Sequence, residues 1–297
     1  QADRLNVFND SSTADDIGWM EATTLDNDIV TLGDPINITG LGMNPDASGR
    51  SISLDVDTSV AQNGDSDKVF TFLGGITFDD IEITEVMLGQ GNDTFNIEAT
   101  SPGTPGAGDY VVTVVHGGGN ALLASGEMGG DTITVTDGGG VASPLVIYGD
   151  TSQDGSRYDS RPDANIYTGN ALNFANAGND IIDARAISQM VTLYGGAGND
   201  VIWGSQVGDH LAGGSGNDII HGQGGVDHIY GDSGFNMDYA VAKDPATDAA
   251  IVTRVLSVPT ANASPVLSSD LLTAGEDEIY GDSDDDIIFG DHGVIDQ

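Results

Sequence analysis

The sequence predicts an all-β chain, a parallel β-solenoid (β-helix) whose second half winds into a flatter roll. Three observations predict it. Residues 195 to 235 divide into nines, GGAGNDVIW GSQVGDHLA GGSGNDIIH GQGGVDHIY GDSGF, with glycine first throughout and an acidic residue, or once Asn, sixth. Short β-branched runs bounded by Gly, Asp, Asn or Pro fill residues 1 to about 145, as strands in a turn-rich fold do. No stretch carries a convincing helical period.

Composition bounds what such a chain can be. Its 297 residues are 38% hydrophobic, enough for a core, and no apolar run approaches the roughly 20 residues of a membrane helix. Membrane insertion is therefore not expected. Forty-seven acidic residues against eight Lys plus Arg give a formal charge of -39, a field that repels phosphate backbones and anionic membranes. Nucleic acid is excluded as a partner on that ground. The same charge opposes compaction unless cations offset it, and dense carboxylates suit hard divalent ions, calcium first. There is no cysteine, so no disulfide framework or thiolate zinc site can hold the fold.

Taken in order, residues 1–148 form a strand-rich β-solenoid region with runs such as LNVF, SISLDV, KVFTFL, IEITEVML, TFNIEA, YVVTVV and TITVT. Two of them carry degenerate nines: LGQGNDTFN sets Asp93 before Phe95, and GEMGGDTIT sets Asp131 before Ile133. Residues 149–174 are polar and turn-rich, a connecting loop. The roll occupies 175–236, opening with ANAGNDIID and its Asp180. Residues 237–271 break the period, with Asp238 standing where an apolar residue belongs, and are expected to leave the stack as a loop or hairpin. The nines resume over 272–297 with EDEIY, GDSDDDIIF and GDHGVID. Neither end reads as a cap, so the segment is expected to belong to something longer.

Within a nine, the first six residues make a turn, glycine supplying positive φ and Asp a carboxylate. The last three make a miniature strand with an apolar middle: Ile202, Leu211, Ile220, Ile229 and Ile288. Two nines per coil put residues 18 apart one above the other at the strand spacing of about 4.8 Å. Asp200 then stacks on Asp218 along one edge, and Asp209 on Asp227 along the other. Carboxylates so close need a cation between them, and turn carbonyls exposed by glycine can complete the six to eight oxygens that calcium accepts.

GGAGNDVIW and GGSGNDIIH resemble the nonapeptide GGxGxDxUx of the RTX (repeats-in-toxin) calcium-binding family. The resemblance implies a calcium-binding RTX β-roll holding several Ca2+ ions, and export by a type I machine. On the positions that match, it implies metal sites built from Asp200, Asp209, Asp218, Asp227, Asp286, Asp180, Asp277 and Asp282, with Asp93 and Asp131 in the degenerate nines. Gly196, Gly198, Gly214, Gly216, Asn199 and Asn217, in the turns between them, belong to the same metal sites. GITFDDIEITEVMLGQGNDTFNIEAT and PLVIYGDTSQDG are similar to modules of very large bacterial surface or secreted proteins, which implies an extracellular or cell-surface location.

Other motifs read more plainly. GDSGF at 231–235 has the letters of a serine-protease nucleophile turn, but the nine-residue period spells it, since GDS recurs at Gly281, Asp282 and Ser283. His210 and His228 are neighbours by spacing and read as two solvated imidazoles, with His221 on the opposite strand. Tyr194, Trp203, Tyr230, Tyr280 and Phe289 end their nines on outward positions, a stripe suited to a glycan or a neighbouring surface protein. No HExxH and no GxSxG occurs, so the zinc proteases and lipases often joined to such repeats are absent.

Two functional readings follow. The first is a non-enzymatic, calcium-stabilised structural module, an adhesin stalk, filament or surface-layer component that associates end to end. The alternative is a calcium-dependent polysaccharide lyase or glycan-modifying enzyme, which needs a basic residue beside an acidic calcium site. Arg4, Arg50 and Lys68 are the only such residues in the first half.

Overall fold

The computed structural model describes residues 2–9, 12–23, 35–43, 52–56, 68–72, 75–103, 111–120, 122–126, 128–153, 177–243, 250–257 and 270–291. These hold 21 strands, numbered along the chain, and no α-helix. Sheet A contains, in spatial order, β1 (Arg4–Phe8), β7 (Ile83–Gly89), β9 (Val112–Gly118), β11 (Leu145–Tyr148), β13 (Val191–Ala197), β15 (His210–Ser215), β17 (His228–Tyr230) and β21 (Ile287–Phe289). Sheet B faces it with β2 (Ile17–Ala22), β8 (Thr94–Ile97), β10 (Thr132–Val135), β12 (Ile181–Asp183), β14 (Val201–Trp203), β16 (Ile219–His221) and β20 (Glu278–Tyr280). Every pairing among these strands is parallel, so the chain is a parallel β-solenoid passing into a β-roll.

The period of nine sets the register. Thr192 pairs with His210 and His210 with His228, steps of 18, and Val201 pairs with Ile219 likewise. Each coil crosses from sheet A to sheet B at one edge and returns at the other. Coils 1 to 7 are thus β1–β2, β7–β8, β9–β10, β11–β12, β13–β14, β15–β16 and β17–β20, and β21 opens coil 8. Where long segments intervene the ladder still closes: His228 pairs with Ile287, 59 residues on. Parallel pairing needs only the neighbouring coil, so extra residues are shed into a turn without shifting the strands.

Middle residues of the strands point inward and stack. Val7, Val86, Val115, Ile147, Leu193, Leu211 and Ile229 form one column from sheet A. Phe95, Ile133, Ile182, Ile202 and Ile220 form its counterpart from sheet B, and all five are fully buried. Burying a side chain of this size stabilises by about 1.5–3 kcal/mol, so these two columns are the main apolar contribution of the stack. Coil 1 places Gly18 in the second column because Leu41 fills that space; a methyl on Gly18 would lie 2.7 Å from Leu41 and 2.9 Å from Phe95.

The fold departs from the sequence expectation at its first coil. The strand-rich region is not parallel throughout: β3 (Ile36–Gly40) pairs antiparallel with β2, and β6 (Ile76–Phe78) antiparallel with β3, extending sheet B beyond coil 1. An end that read as uncapped is therefore covered on the sheet B side. Between them β4 (Ile52–Val56) and β5 (Lys68–Phe72) make a separate antiparallel pair.

The break after residue 236 is a hairpin of β18 (Asn236–Lys243) and β19 (Ala250–Ser257), hydrogen-bonded to neither main sheet. It begins inside the sheet A to sheet B turn of coil 7, and β19 lies near β9. Phe235 and Met237 pack with Tyr148, Tyr194 and Tyr230 on the outer face of sheet A. Of the connecting loop 149–174, residues 149–153 are described and the rest lies outside the described residues. Its stem meets the hairpin's stem: Gln153 N–H donates to Phe235 O at 3.1 Å, and Asp270 N–H to Gln153 O at 2.8 Å.

Candidate metal centre

Along the edge where sheet A passes to sheet B, one aspartate precedes each sheet B strand. Its carboxylate reaches back to the preceding coil. Asp16 N–H donates to Asp93 Oδ1 at 2.7 Å, Asp93 N–H to Asp131 Oδ1 at 2.6 Å, and Asp131 N–H to Asp180 Oδ1 at 2.7 Å. Asp180 N–H continues to Asp200 Oδ1 at 2.8 Å, Asp200 N–H to Asp218 Oδ1 at 2.8 Å, and Asp218 N–H to Asp277 Oδ1 at 2.9 Å. The backbone carbonyl of each Asp from 16 to 218 also accepts the N–H that follows its successor, as Ile219 N–H does with Asp200 O at 2.8 Å. Seven aspartates thus form one unbroken column through seven coils.

The opposite edge has a shorter column. Val191 N–H donates to Asp209 Oδ1 at 2.8 Å, Asp209 N–H to Asp227 Oδ1 at 2.7 Å, and Asp227 N–H to Asp286 Oδ1 at 2.9 Å. It begins at coil 5, where Val191 supplies only a backbone donor.

In six of these aspartates one carboxylate oxygen is used and the other is left, whereas Asp16 Oδ2 accepts from Asn9 and Ser12 and Asp209 Oδ2 from Ser205 N–H. Oδ2 of Asp93, Asp131, Asp180, Asp200, Asp218 and Asp227 is buried with no hydrogen-bond partner. A buried anionic oxygen without a partner is costly, so these carboxyls resist ionisation. Burial pushes Asp180, Asp218 and Asp227 up to about 7, and Asp93 and Asp209 up to about 6. Asp131 and Asp200 are likewise raised well above the usual carboxylate range, by burial first and by the charge of Asp180 beside them. Among the described residues no Lys or Arg forms an ion pair with either column; Arg4 pairs with Glu85 and Arg185 with Asp183.

The first glycine of each nine explains why the free oxygen can sit where it does. A methyl on Gly195 would overlap Asp200 Oδ2, and the same holds for Gly213 with Asp218, Gly222 with Asp227 and Gly281 with Asp286. The backbone at these positions is not left-handed. Glycine is needed there for close approach of the carboxylate. The positive φ expected of glycine belongs to the second position, at Gly196 (116°) and Gly214 (112°).

Other expected positions fall differently. Asp282 stands outside the columns, at the second position of its nine, where Oδ2 accepts from Gln223 Nε2 at 2.9 Å and lies 3.2 Å from His221 Nδ1. A residue count alone could not separate it from Asp286, four positions on. Asn199 and Asn217 form a ladder of their own: Asn199 N–H donates to Asn179 Oδ1 and Asn217 N–H to Asn199 Oδ1, each at 2.8 Å. Their side-chain oxygens hold coil to coil, and Gly198 and Gly216 lie in the same turns.

The aromatic stripe is corrected on two counts. Tyr194 and Tyr230 are buried, because Phe235 and Met237 cover the outer face of sheet A. On sheet B, Trp203 stacks on His221 at 6.3 Å and His221 on Tyr280 at 4.5 Å, with interplanar angles of 14° and 6°. Their faces are turned along the stack toward one another, which leaves edges rather than faces toward solvent. His210 and His228 are neighbours as spaced, with centroids 4.9 Å apart, and His221 is on the other sheet.

Several residues of the edge were not singled out from sequence. Asp16 heads the column, but 77 residues separate it from Asp93. Asp150 and Asp232 follow the first glycine of their coils, each buried with one unpartnered oxygen. Asp150 Oδ2 accepts from Ala197 N–H at 2.8 Å and Asp232 Oδ1 from Gly275 N–H at 2.7 Å. The Gly-Asp pair shared by 149–150 and 231–232 was the available signal. Asp270 returns the chain to the edge, accepting from the Tyr194 and Ser215 hydroxyls.

Among the described residues no three His, Cys, Asp or Glu side chains converge as a cage. Paired aspartates with free hard oxygens, on turns made of glycine, fit an ion whose shell is completed by backbone carbonyls. Fold and edge together define a calcium-binding β-roll. Residues 192–206, 204–237 and 273–293 match the RTX calcium-binding nonapeptide repeat in four copies, and the chain carries these repeats, which bind Ca2+. No curated protein and no solved structure matches the chain.

Proposed function

We propose that this chain is a calcium-stabilised structural section of an extracellular or cell-surface protein, a stalk, filament or surface-layer element rather than an enzyme. The unbroken aspartate column carries the reading. Asp180, Asp200, Asp218 and Asp277 on one edge, and Asp209, Asp227 and Asp286 on the other, would hold the ions with the turn carbonyls. Bound calcium supplies positive charge that, among the described residues, no Lys or Arg brings there by ion pairing. Every ion then joins one coil to the next, which turns a stack of weak strand pairs into a rod.

End-to-end association is part of the proposal. Ile288, the inward residue of β21, is 45% exposed, whereas Ile229 beneath it is fully buried. Further repeats or a second copy would cover it. The lyase alternative finds less support, since Arg4 and Arg185 bond carboxylates outside both columns.

The test is calcium removal. Far-UV circular dichroism of the chain is expected to lose most β signal in chelator and recover it with calcium, because metal binding supplies folding free energy. Light scattering is expected to show growth only with calcium. Full β signal in chelator, with compact monomers at millimolar calcium, would overturn the reading.

A further inference from the structure

We propose that the outer face of sheet B, over coils 4 to 7, pairs with the same face of a second copy of the chain, so that two rods lie side by side and antiparallel. The contact is lateral, and it goes beyond the end-to-end association proposed above.

The two main sheets differ on their outer faces. On sheet A, Tyr148, Tyr194 and Ala212 are fully buried in a cluster with the chain's own Phe235 and Met237. On sheet B the register sets two outward ranks, Ile181, Val201, Ile219 and Glu278 in the first and Asp183, Trp203, His221 and Tyr280 in the second. These ranks are open: Ile181 is 39% exposed, Ile219 37% and Tyr280 44%. An aliphatic rank running through coils 4 to 6 beside stacked aromatic rings is a patch rather than scattered exposure, and such patches mark contact surfaces.

Charge indicates the occupant. In a chain with only eight Lys plus Arg, Arg185 stands at one end of this face, donating to Asp183 Oδ2 at 2.6 Å, with its guanidinium carbon 4.4 Å from the ring centre of Trp203. Asp282 stands at the other end, with Oδ2 3.2 Å from His221 Nδ1. The two hold the same place in their coils, each four residues after the first-rank residue, Ile181 or Glu278. A two-fold axis along the strands, between coils 5 and 6, brings Arg185 of each copy opposite Asp282 of the other, with Val201 opposite Ile219 and Trp203 opposite His221. The face is thus complementary to itself, base to acid and apolar to apolar, which is the condition for an isologous contact. The strands of the two sheets stay aligned, as sheets packed face to face commonly do. Repulsion between two acidic chains is screened beyond about 8 Å at physiological salt, so the charges in contact decide the register. Four coils make a smaller face than permanent dimers use, which places the pairing in the weak, concentration-dependent class.

The experiment uses the whole chain in saturating calcium. Because the chain has no cysteine, Val201→Cys and Ile219→Cys each place a single thiol on the face, and circular dichroism checks that both variants fold. A short bismaleimide added to an equal mixture is expected to link the Val201→Cys chain to the Ile219→Cys chain in excess over either like pair. Val226→Cys, 53% exposed in the turn between β16 and β17, is the control for chance collision. Like pairs in excess would mean a different packing of the faces, and linkage no greater than that of Val226→Cys would mean no pairing through this face; either result overturns the proposal. Sedimentation then reads the charge contact. Arg185→Gln and Asp282→Asn are each expected to weaken dimerisation about tenfold, since the pair occurs twice in a two-fold dimer, and the double variant to weaken it little further. Within one chain the two residues stand three coils apart, roughly 14 Å at the strand spacing, so coupling between them arises only across the contact. Self-association that neither variant alters, or full additivity of the two, would assign association to the ends of the rod and overturn the lateral pair.

Discussion

Replacing Gly213 by alanine tests the role assigned to the first glycine of the nine. Its backbone is not left-handed, so any penalty arises from space alone. The added methyl would lie 2.7 Å from Gly231 O and 2.8 Å from Asp218 Cγ. Asp218 Oδ2 is nearer still, so an ordinary contact of about 3.4 Å requires the carboxylate to retreat by roughly 1 Å or more, which carries the 2.8 Å bond from Asp200 N–H past the limit of a hydrogen bond. Overpacking costs about 1–3 kcal/mol and a hydrogen bond to a charged group contributes about 1.5–3 kcal/mol. The sum, about 2.5–6 kcal/mol, corresponds to a melting point lower by roughly 5–20 °C in saturating calcium. Gly224→Ala is the control, because its methyl meets nothing closer than 3.2 Å and its φ is also ordinary. Thermal melts by circular dichroism and calcium counts should both separate the two variants. Equal melting points and equal counts would show that the glycine is not there to admit the carboxylate.

Further outcomes follow from the same edge. Asp218→Asn is expected to lower calcium stoichiometry by calorimetry, while Asp238→Asn, in the β18–β19 hairpin that joins neither main sheet, leaves it unchanged; equal losses would mean the column is not the site. Calcium-free protein is expected to lose stability as pH rises. Carboxyls raised by burial from 3.8 to about 6 at Asp93 and Asp209, and to about 7 at Asp180, Asp218 and Asp227, favour the folded state while protonated. That contribution is complete below about pH 4, declines through the window from 4 to 7 and is lost above it. Urea titrations at pH 5 and pH 8 in metal-depleted buffer should show the lower midpoint at pH 8, and calcium should reverse the order.

Sequence reasoning reached the roll through local repetition. Ile202 over Ile220 and Asp200 over Asp218 follow from a period of nine, because parallel coils translate sequence spacing directly into stacking. The same arithmetic fails wherever a turn lengthens. Asp16 and Asp93 are neighbours in space although they stand 77 positions apart in the chain, and only closure of the ladder brings them together. Tyr194 illustrates a different limit: the alternation of a strand correctly placed it on the outer face, but whether that face meets water depends on a segment some forty residues downstream. The glycine of the first position looked like a turn former because glycine usually is one. Its actual constraint, the volume of a carboxylate across the turn, is invisible until the backbone is folded.

The unequal length of the two columns has a consequence for the order of folding. Coils 5 to 7 are cross-linked at both edges, whereas coils 1 to 4 are cross-linked at one. In a chain whose units interact only with their neighbours, structure begins where coupling between units is strongest and spreads outward. Calcium would therefore condense the C-terminal coils first. They then present β13 and β14 as a finished template on which coil 4, and after it coils 3, 2 and 1, add one at a time. Growth runs backward along the polypeptide, so the part made last becomes the seed for the part made first, and a chain kept free of calcium stays unseeded until all of it has met the ion.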